Sequence, residues 1–254
     1  MSAPARAALV TGAAKRIGRA LALDLAAQGF DVAVHYRTSA AEAAATVSAI
    51  EALGRRAVAL VADLEDERAT AALVGAASTA LGPLTLLVNN ASVFDYDRPE
   101  TADQRRWARA MAVNLRAPLV LTQSLLAQLP AAIDANVVNL IDERVLNLTP
   151  HYTSYTVSKA GLWALTRHLA SALAPRVRVN AIAPGPALPD AKMSPERFEA
   201  LRRATPLGRA PGLDELCRAL RLILEAPAMT GQMIAIDGGR HLGWLLPGED
   251  ATRS

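Results

Sequence analysis

The sequence predicts an α/β chain with a doubly wound parallel sheet and helices on both faces. Three observations carry that expectation. Short runs rich in β-branched residues alternate with longer helical patterns along all 254 residues, the order that βαβ units produce. A glycine turn, Thr11-Gly12-Ala13-Ala14-Lys15-Arg16-Ile17-Gly18, stands between the first strand and the first helix. No linker, repeat or low-complexity tract interrupts the alternation, so residues 1–254 read as a single domain.

The elements follow in order. Ala7–Val10 is a short apolar run that stops at Thr11-Gly12; a helix follows with Ile17, Ala20, Leu21 and Leu25 on one face and Gly29 as its C-terminal stop. Val32–Val34 is the second strand, and an alanine-rich helix occupies 39–53. Ala57–Val61 is the third strand and Leu86–Val88 the fourth, ending at Asn89-Asn90. A long helix is expected over 102–129, then a fifth strand at 136–141 and a helix carrying Tyr155. Val177–Ala181 is a strand, 186–205 a proline-rich irregular stretch suited to a substrate lid, 213–224 a helix and 233–236 the last strand.

In such sheets ligands bind beyond the carboxyl ends of the strands, so the residues there are the candidate site. The first glycine turn lets backbone N–H groups approach a pyrophosphate at a helix N-terminus. Its Arg16, where a middle glycine often lies, brings a guanidinium able to fork onto phosphate oxygens or lie on a planar heterocycle. The second strand ends His35-Tyr36-Arg37-Thr38-Ser39, without the carboxylate that would bind a ribose 2′-hydroxyl. Arg37, Thr38 and Ser39 offer a charge and two hydroxyls instead, a phosphate seat that favours NADP over NAD. Asp63-Leu64 stand where an adenine edge would lie. Asn89-Asn90-Ala91-Ser92 end the fourth strand at the switch region, and Phe94 beyond them is either a stacking surface for a flat ligand or a buried loop anchor.

Tyr155 and Lys159 share one helix face at i and i+4. A lysine beside the phenol is expected to lower its pKa from near 10 and tune it as a proton donor. The chain holds only three lysines, Lys15, Lys159 and Lys192, which weakens the reading of Lys159 as an incidental surface residue. Asp142 lies thirteen positions before Tyr155. It is read either as a functional carboxylate or as the cap of the turn after the fifth strand.

Composition narrows the classes. Net charge is +3 with scattered basic residues and no basic run, so nucleic acid is not an expected partner. The single Cys217 excludes an intrachain disulfide, and His35, His151, His168 and His241 have no ligand-like spacing, so no metal is expected. The first eight residues lack a signal-peptide core and no apolar run reaches membrane-spanning length; a cytoplasmic chain with no membrane partner is expected.

Taken together, Thr11-Gly12 through Gly18, Asn89-Asn90-Ala91, Asn114, Tyr155-x-x-x-Lys159 and Pro184-Gly185 resemble the short-chain dehydrogenase/reductase family, in order and over nearly the whole chain. The resemblance implies a Rossmann-type domain with a seven-stranded sheet, NADP(H) as cofactor and a homotetramer built partly through the helices carrying Asn114 and Tyr155. It implies Tyr155 as acid/base, Lys159 on the nicotinamide ribose, Asn114 positioning a proton-relay water, and Pro184-Gly185 at the cofactor. Within the family, Gly12–Gly18, Ser92 with Phe94, Asp142 in the usual serine place and Gly238–Leu242 resemble the pteridine and dihydromonapterin reductases. That likeness implies that Arg16 and Ser92 contact pterin and cofactor phosphate, and that Phe94 sandwiches the pterin ring. Asp95, Tyr96 and Asp97 depart from the apolar approach it implies.

The carboxylate has a physical reading of its own. An ionised group beside a developing alkoxide opposes carbonyl reduction, whereas reduction of a ring C=N needs a proton on nitrogen and offers N–H donors. The expected activity is NADPH-dependent reduction of a dihydropterin-like C=N bond, protonated through Tyr155 and Asp142. A carbonyl reductase of the same fold acting on oxoacyl or similar substrates is the alternative. A non-catalytic NADP(H)-binding sensor is a third reading, against which the Asn114–Tyr155–Lys159 set argues.

Overall fold

Runs such as Leu9-Val10 and Val32-Ala33-Val34 are buried at every position because the sheet they form is covered on both faces. A computed structural model of the chain describes residues 6–189 and 193–243; Lys192 lies outside them. The strands are β1 Arg6–Val10, β2 Phe30–Tyr36, β3 Ala57–Val61, β4 Leu84–Asn89, β5 Ala135–Leu140, β6 Val177–Pro184 and β7 Met233–Ile236. They form one seven-stranded sheet in the order β3-β2-β1-β4-β5-β6-β7, and every pairing is parallel. This is the Rossmann-type architecture expected.

Successive side chains leave a strand on opposite faces, and the core divides accordingly. Ala8, Val10, Val32, Val34, Leu86 and Val88 pack on one face with Leu21 and Leu25 of α1 (Arg16–Ala27), Ile50 of α2 (Ala40–Ala52) and Leu216, Leu220 and Ile223 near the C-terminus. Ala7, Leu9, Ala33, Leu87 and Val137 pack on the other with Leu73 and Val74 of α3 (Glu67–Leu81). The α3 helix was not singled out from the sequence. Its signals are Asp66, whose carboxylate accepts from the Arg68 and Ala69 amides, and the i, i+4 row Leu73, Ala77, Leu81.

The long helix expected over 102–129 is interrupted. Asp103 caps α4 (Gln104–Met111), residues Ala112–Arg116 form a π-helical turn, and α5 (Ala117–Gln128) continues. The whole stretch Gln104–Gln128 is long and apolar enough to cross a membrane, contrary to the sequence expectation, but half of that window is buried inside the protein. It is a core helix. The helix α6 (Thr153–Leu173) follows, as expected. The stretch 186–205 is not wholly irregular: it holds α7 (Pro195–Arg203), capped by Ser194, with proline in its first turn and arginines in its last. The last helix is α8 (Leu213–Glu225).

Strand order reverses between β1 and β4, so the chain leaves their carboxyl ends on opposite sides and opens a crevice. The two ends are tied: the Thr11 amide donates to the Val88 carbonyl at 3.0 Å, and the Asn90 and Ala91 amides donate to Thr11 Oγ1 at 2.9 and 3.0 Å.

Candidate active site

The glycine turn is built by what its residues lack. Gly12 has φ +64°, a conformation costly for residues with a Cβ. A Cβ on Gly18 would collide with the Gly12 carbonyl oxygen, so the helix start can lie directly on the turn. Asn90 Nδ2 donates to the Thr11 and Gly12 carbonyls at 2.8 and 3.2 Å. Of the two asparagines, Asn90 thus serves the turn, while Asn89 faces β5 and donates to Asn139 at 2.8 Å.

A cleft of about 550 Å³ opens over this turn. Gly12, Lys15, Arg16, Ile17 and Gly18 line its floor, with Arg37, Thr38 and Ser39 at the end of β2. Asp63 and Leu64 form the far wall, and Asn90, Ala91, Ser92 and Phe94 the near one. Lys15 is paired with Glu42 at 3.1 Å, and Arg16 donates to the carbonyl of Pro189 at 2.9 Å, so Arg16 reaches the lid segment. Arg37 is half-exposed with Glu65 at 3.8 Å, a loose partner, and the Ser39 side chain makes no cap bond. The one acid at the start of β2, Asp31, is held by Arg55 and Arg56 at 2.7 and 2.8 Å. The donors at this end therefore fit a phosphate. Arg109, paired with Glu65 and Asp95, and the buried His35 also line the cleft and were missed from the sequence.

Pro184 and Gly185 are not among the cleft-lining residues. The Gly185 amide donates to the Ile236 carbonyl at 2.9 Å, and a Cβ there would meet Asp237 Cα at 2.8 Å. The glycine allows a close approach of the end of β6 to the end of β7, which the motif alone does not reveal.

Beyond Phe94 lies the tyrosine cluster. Tyr155 Oη donates to Asp142 Oδ2 at 2.7 Å, and Asp142 Oδ1 accepts from the Arg144 amide at 2.9 Å. Both readings of Asp142 hold: one oxygen caps the turn and the other meets the phenol. Lys159 is 2% exposed and donates to the Leu140 carbonyl at 2.7 Å, with Nζ 5.8 Å from the centroid of the Tyr155 ring. Burial lowers its pKa to about 8. The expected lowering of the tyrosine pKa is not found in this arrangement: burial and then the Asp142 carboxylate raise it well above the usual value. Lysine's proton goes to a backbone carbonyl, and the nearest charge to the phenol is negative.

Asn114 sits in the π-turn, a device that recurs at functional sites. Its Oδ1 accepts from the Val93 amide at 2.9 Å and from Ser92 Oγ at 3.1 Å; its Nδ2 donates to the Val93 carbonyl and to Ser158 Oγ, each at 3.0 Å. The side chain thereby ties the loop after β4 to α6.

Phe94 is 41% exposed, stacked on Tyr152 with centroids 4.2 Å apart and edge-on to Tyr155 at 4.6 Å. Arg144 lies 4.8 Å from the Tyr152 ring centroid. The departures after Phe94 have structural reasons: Asp95 pairs with Arg109, Tyr96 meets His151, and the buried Asp97 accepts from the Ser154 amide at the start of α6. Glu143 was also missed. It is buried against Arg240 at 3.0 Å, and burial together with the neighbouring Asp142 raises its pKa to about 7.

Residues 6–200 match the family described as short chain dehydrogenase. A crystal structure of FolM alternative dihydrofolate reductase 1 from Brucella suis with NADP is similar at 48% identity and TM-score 0.92, covering 97% of this chain and 99% of that one. Its counterpart from Brucella canis, also with NADP, shares 47% identity at TM-score 0.92, covering 96% and 97%. An uncharacterized oxidoreductase of Methylorubrum extorquens is 34% identical over 242 residues, 92% of this chain and 97% of that protein. With its glycine turn, its reversed strand order and its tyrosine–lysine helix, the chain belongs to the short-chain dehydrogenase/reductase family and is an oxidoreductase of that type.

Proposed function

We propose that this protein is an NADPH-dependent reductase of a dihydropterin-like C=N bond, with Tyr155 as proton donor and Asp142 as the carboxylate that selects nitrogen chemistry. The observation that carries the reading is the 2.7 Å bond from Tyr155 Oη to Asp142 Oδ2. The relatives described as alternative dihydrofolate reductases with NADP support it. So does the cleft, whose phosphate-fitting donors Arg37, Thr38 and Ser39 take the cofactor's 2′-phosphate.

Bound NADPH supplies the hydride, which adds to the ring carbon. The residues of the chain handle the proton. Tyr155, kept protonated by burial and by Asp142, turns its Oη–H from the carboxylate to the ring nitrogen and protonates it as the C=N bond becomes CH–NH. Asp142, released from the phenol, accepts from ring N–H groups. The same negative charge beside an alkoxide would oppose ketone reduction. Lys159 holds the ribose, Asn114 the relay, and Arg16 and Ser92 the pterin and phosphate edge; Phe94 leaves its stack on Tyr152 to cover the ring. The reading includes a single domain, a lid over 186–205, and a cytoplasmic homotetramer whose only membrane-length helix is a core helix.

NADPH oxidation measured against dihydrobiopterin, dihydromonapterin, dihydrofolate and a ketone panel tests it. Turnover of at least one dihydropterin, above any ketone, is expected. Turnover of ketones alone would sink the pterin reading.

A further inference from the structure

His35 is the penultimate residue of β2, 2% exposed, and pointed at backbone on two sides. Its Nδ1 lies 3.0 Å from the Gly12 amide nitrogen. Its Nε2 lies 3.2 Å from the Ala62 carbonyl oxygen. A backbone amide can only donate and a carbonyl can only accept, so the two contacts fix the ring: Nε2 carries the hydrogen and Nδ1 the lone pair. One neutral tautomer satisfies both. The backbone of the same residue adds a third tie, since the Ala13 amide donates to the His35 carbonyl at 2.9 Å. The ring therefore braces the glycine turn on one side and, on the other, the residue preceding Asp63 and Leu64 in the far wall.

We propose that His35, as the neutral Nε2–H tautomer, is a positioning residue for the nucleotide cleft. Its Nδ1 turns the Gly12 N–H inward, which sets the rest of the turn facing the cofactor phosphates. The inference rests on the reading that NADPH occupies this cleft and is independent of the substrate. A protonated ring would present an N–H from Nδ1 to the Gly12 N–H, two donors 3.0 Å apart, and the turn would have to move. The surroundings resist that proton. Burial lowers the pKa of His35, while Asp63, from the loop after β3, favours the charge. The turn after β1 brings only the uncharged Gly12 and Ala13 against the ring, and Arg37 on its own strand end is turned to Glu65.

NADPH affinity measured by nicotinamide fluorescence between pH 8 and 5 tests the role in three proteins. His35→Asn keeps an acceptor near the Nδ1 position, and His35→Gln keeps a donor near Nε2 but loses that acceptor. At pH 8 the asparagine variant is expected within about threefold of wild type, and the glutamine variant about five- to tenfold weaker, the loss of about one hydrogen bond. The 2′-phosphate itself titrates near pH 6 in all three, so the difference between wild type and His35→Asn isolates the ring: wild type should lose more affinity on acidification. Coincident pH profiles for those two proteins, or tight binding by His35→Gln, would overturn the assignment. A wild type that binds no NADPH at pH 8 would instead remove the cofactor reading. Nitrogen-15 spectra of the histidine ring at pH 8 decide the tautomer without cofactor, and an Nδ1–H or charged ring would overturn the proposal in that case too.

Discussion

Three side chains at the end of β5 and the start of α6 set the character of the site. Asp142 divides its oxygens between the turn and Tyr155, and Glu143 beside it is buried and faces Arg240. Two adjacent carboxylates in a dry pocket oppose each other's ionisation, and Glu143 is the one that yields, with its pKa raised from 4.5 to about 7. The folded state therefore binds more protons than the unfolded state between those values, and stability falls as pH rises through that window. Relative to Glu143→Gln, wild type is expected to lose about 2–3 kcal/mol between pH 5 and pH 8, measured by urea denaturation at each pH. Wild type gaining on the variant would show that the Arg240 pair outweighs the burial. The spacing of Asp142, Tyr155 and Lys159 was readable from the chain. The direction of the tyrosine shift was not, because it depends on which oxygen accepts the lysine proton. Glu143 and Arg240 stand 97 residues apart, and no periodicity links them.

At the scale of elements, the helices aim these groups. Asp97 is fully buried and accepts from the Ser154 amide and hydroxyl, which fixes the N-terminus of α6 one residue before Tyr155. A polar ladder from Asn89 to Asn139 to Thr166 ties the same helix to β4 and β5. The π-turn at Ala112–Arg116 was invisible to a 3.6-residue reading, since one extra residue per turn leaves the apolar pattern nearly unchanged. The α7 helix was passed over because prolines drew the eye from its caps. The π-turn and α6 also share a half-open apolar groove lined by Met111, Leu115, Leu119 and Leu165. Burial of that face between copies is the physical reason to expect a tetramer. Light scattering should give a mass near four times 26.8 kDa; a monomer would leave the groove without that role.

At the scale of the molecule, the parallel sheet with its reversal between β1 and β4 makes one crevice serve both halves of the reaction. The nucleotide end follows from β1, β2 and β3, whose terminal residues were nearly all legible because a strand end names its own position. The substrate end draws on β4, β5, α6 and the segment near Arg240, and long-range partners there had to be seen. The central claim is that the carboxylate of Asp142 selects a C=N bond over a ketone. Its most direct test is kcat/KM for a dihydropterin and for a ketone in wild type and in Asp142→Ser. The account expects the substitution to lower dihydropterin reduction by about 10²-fold, within the range of a positioned acid–base group, with ketone reduction unchanged or raised. Equal losses on both substrates, or an unimpaired dihydropterin rate, would contradict it.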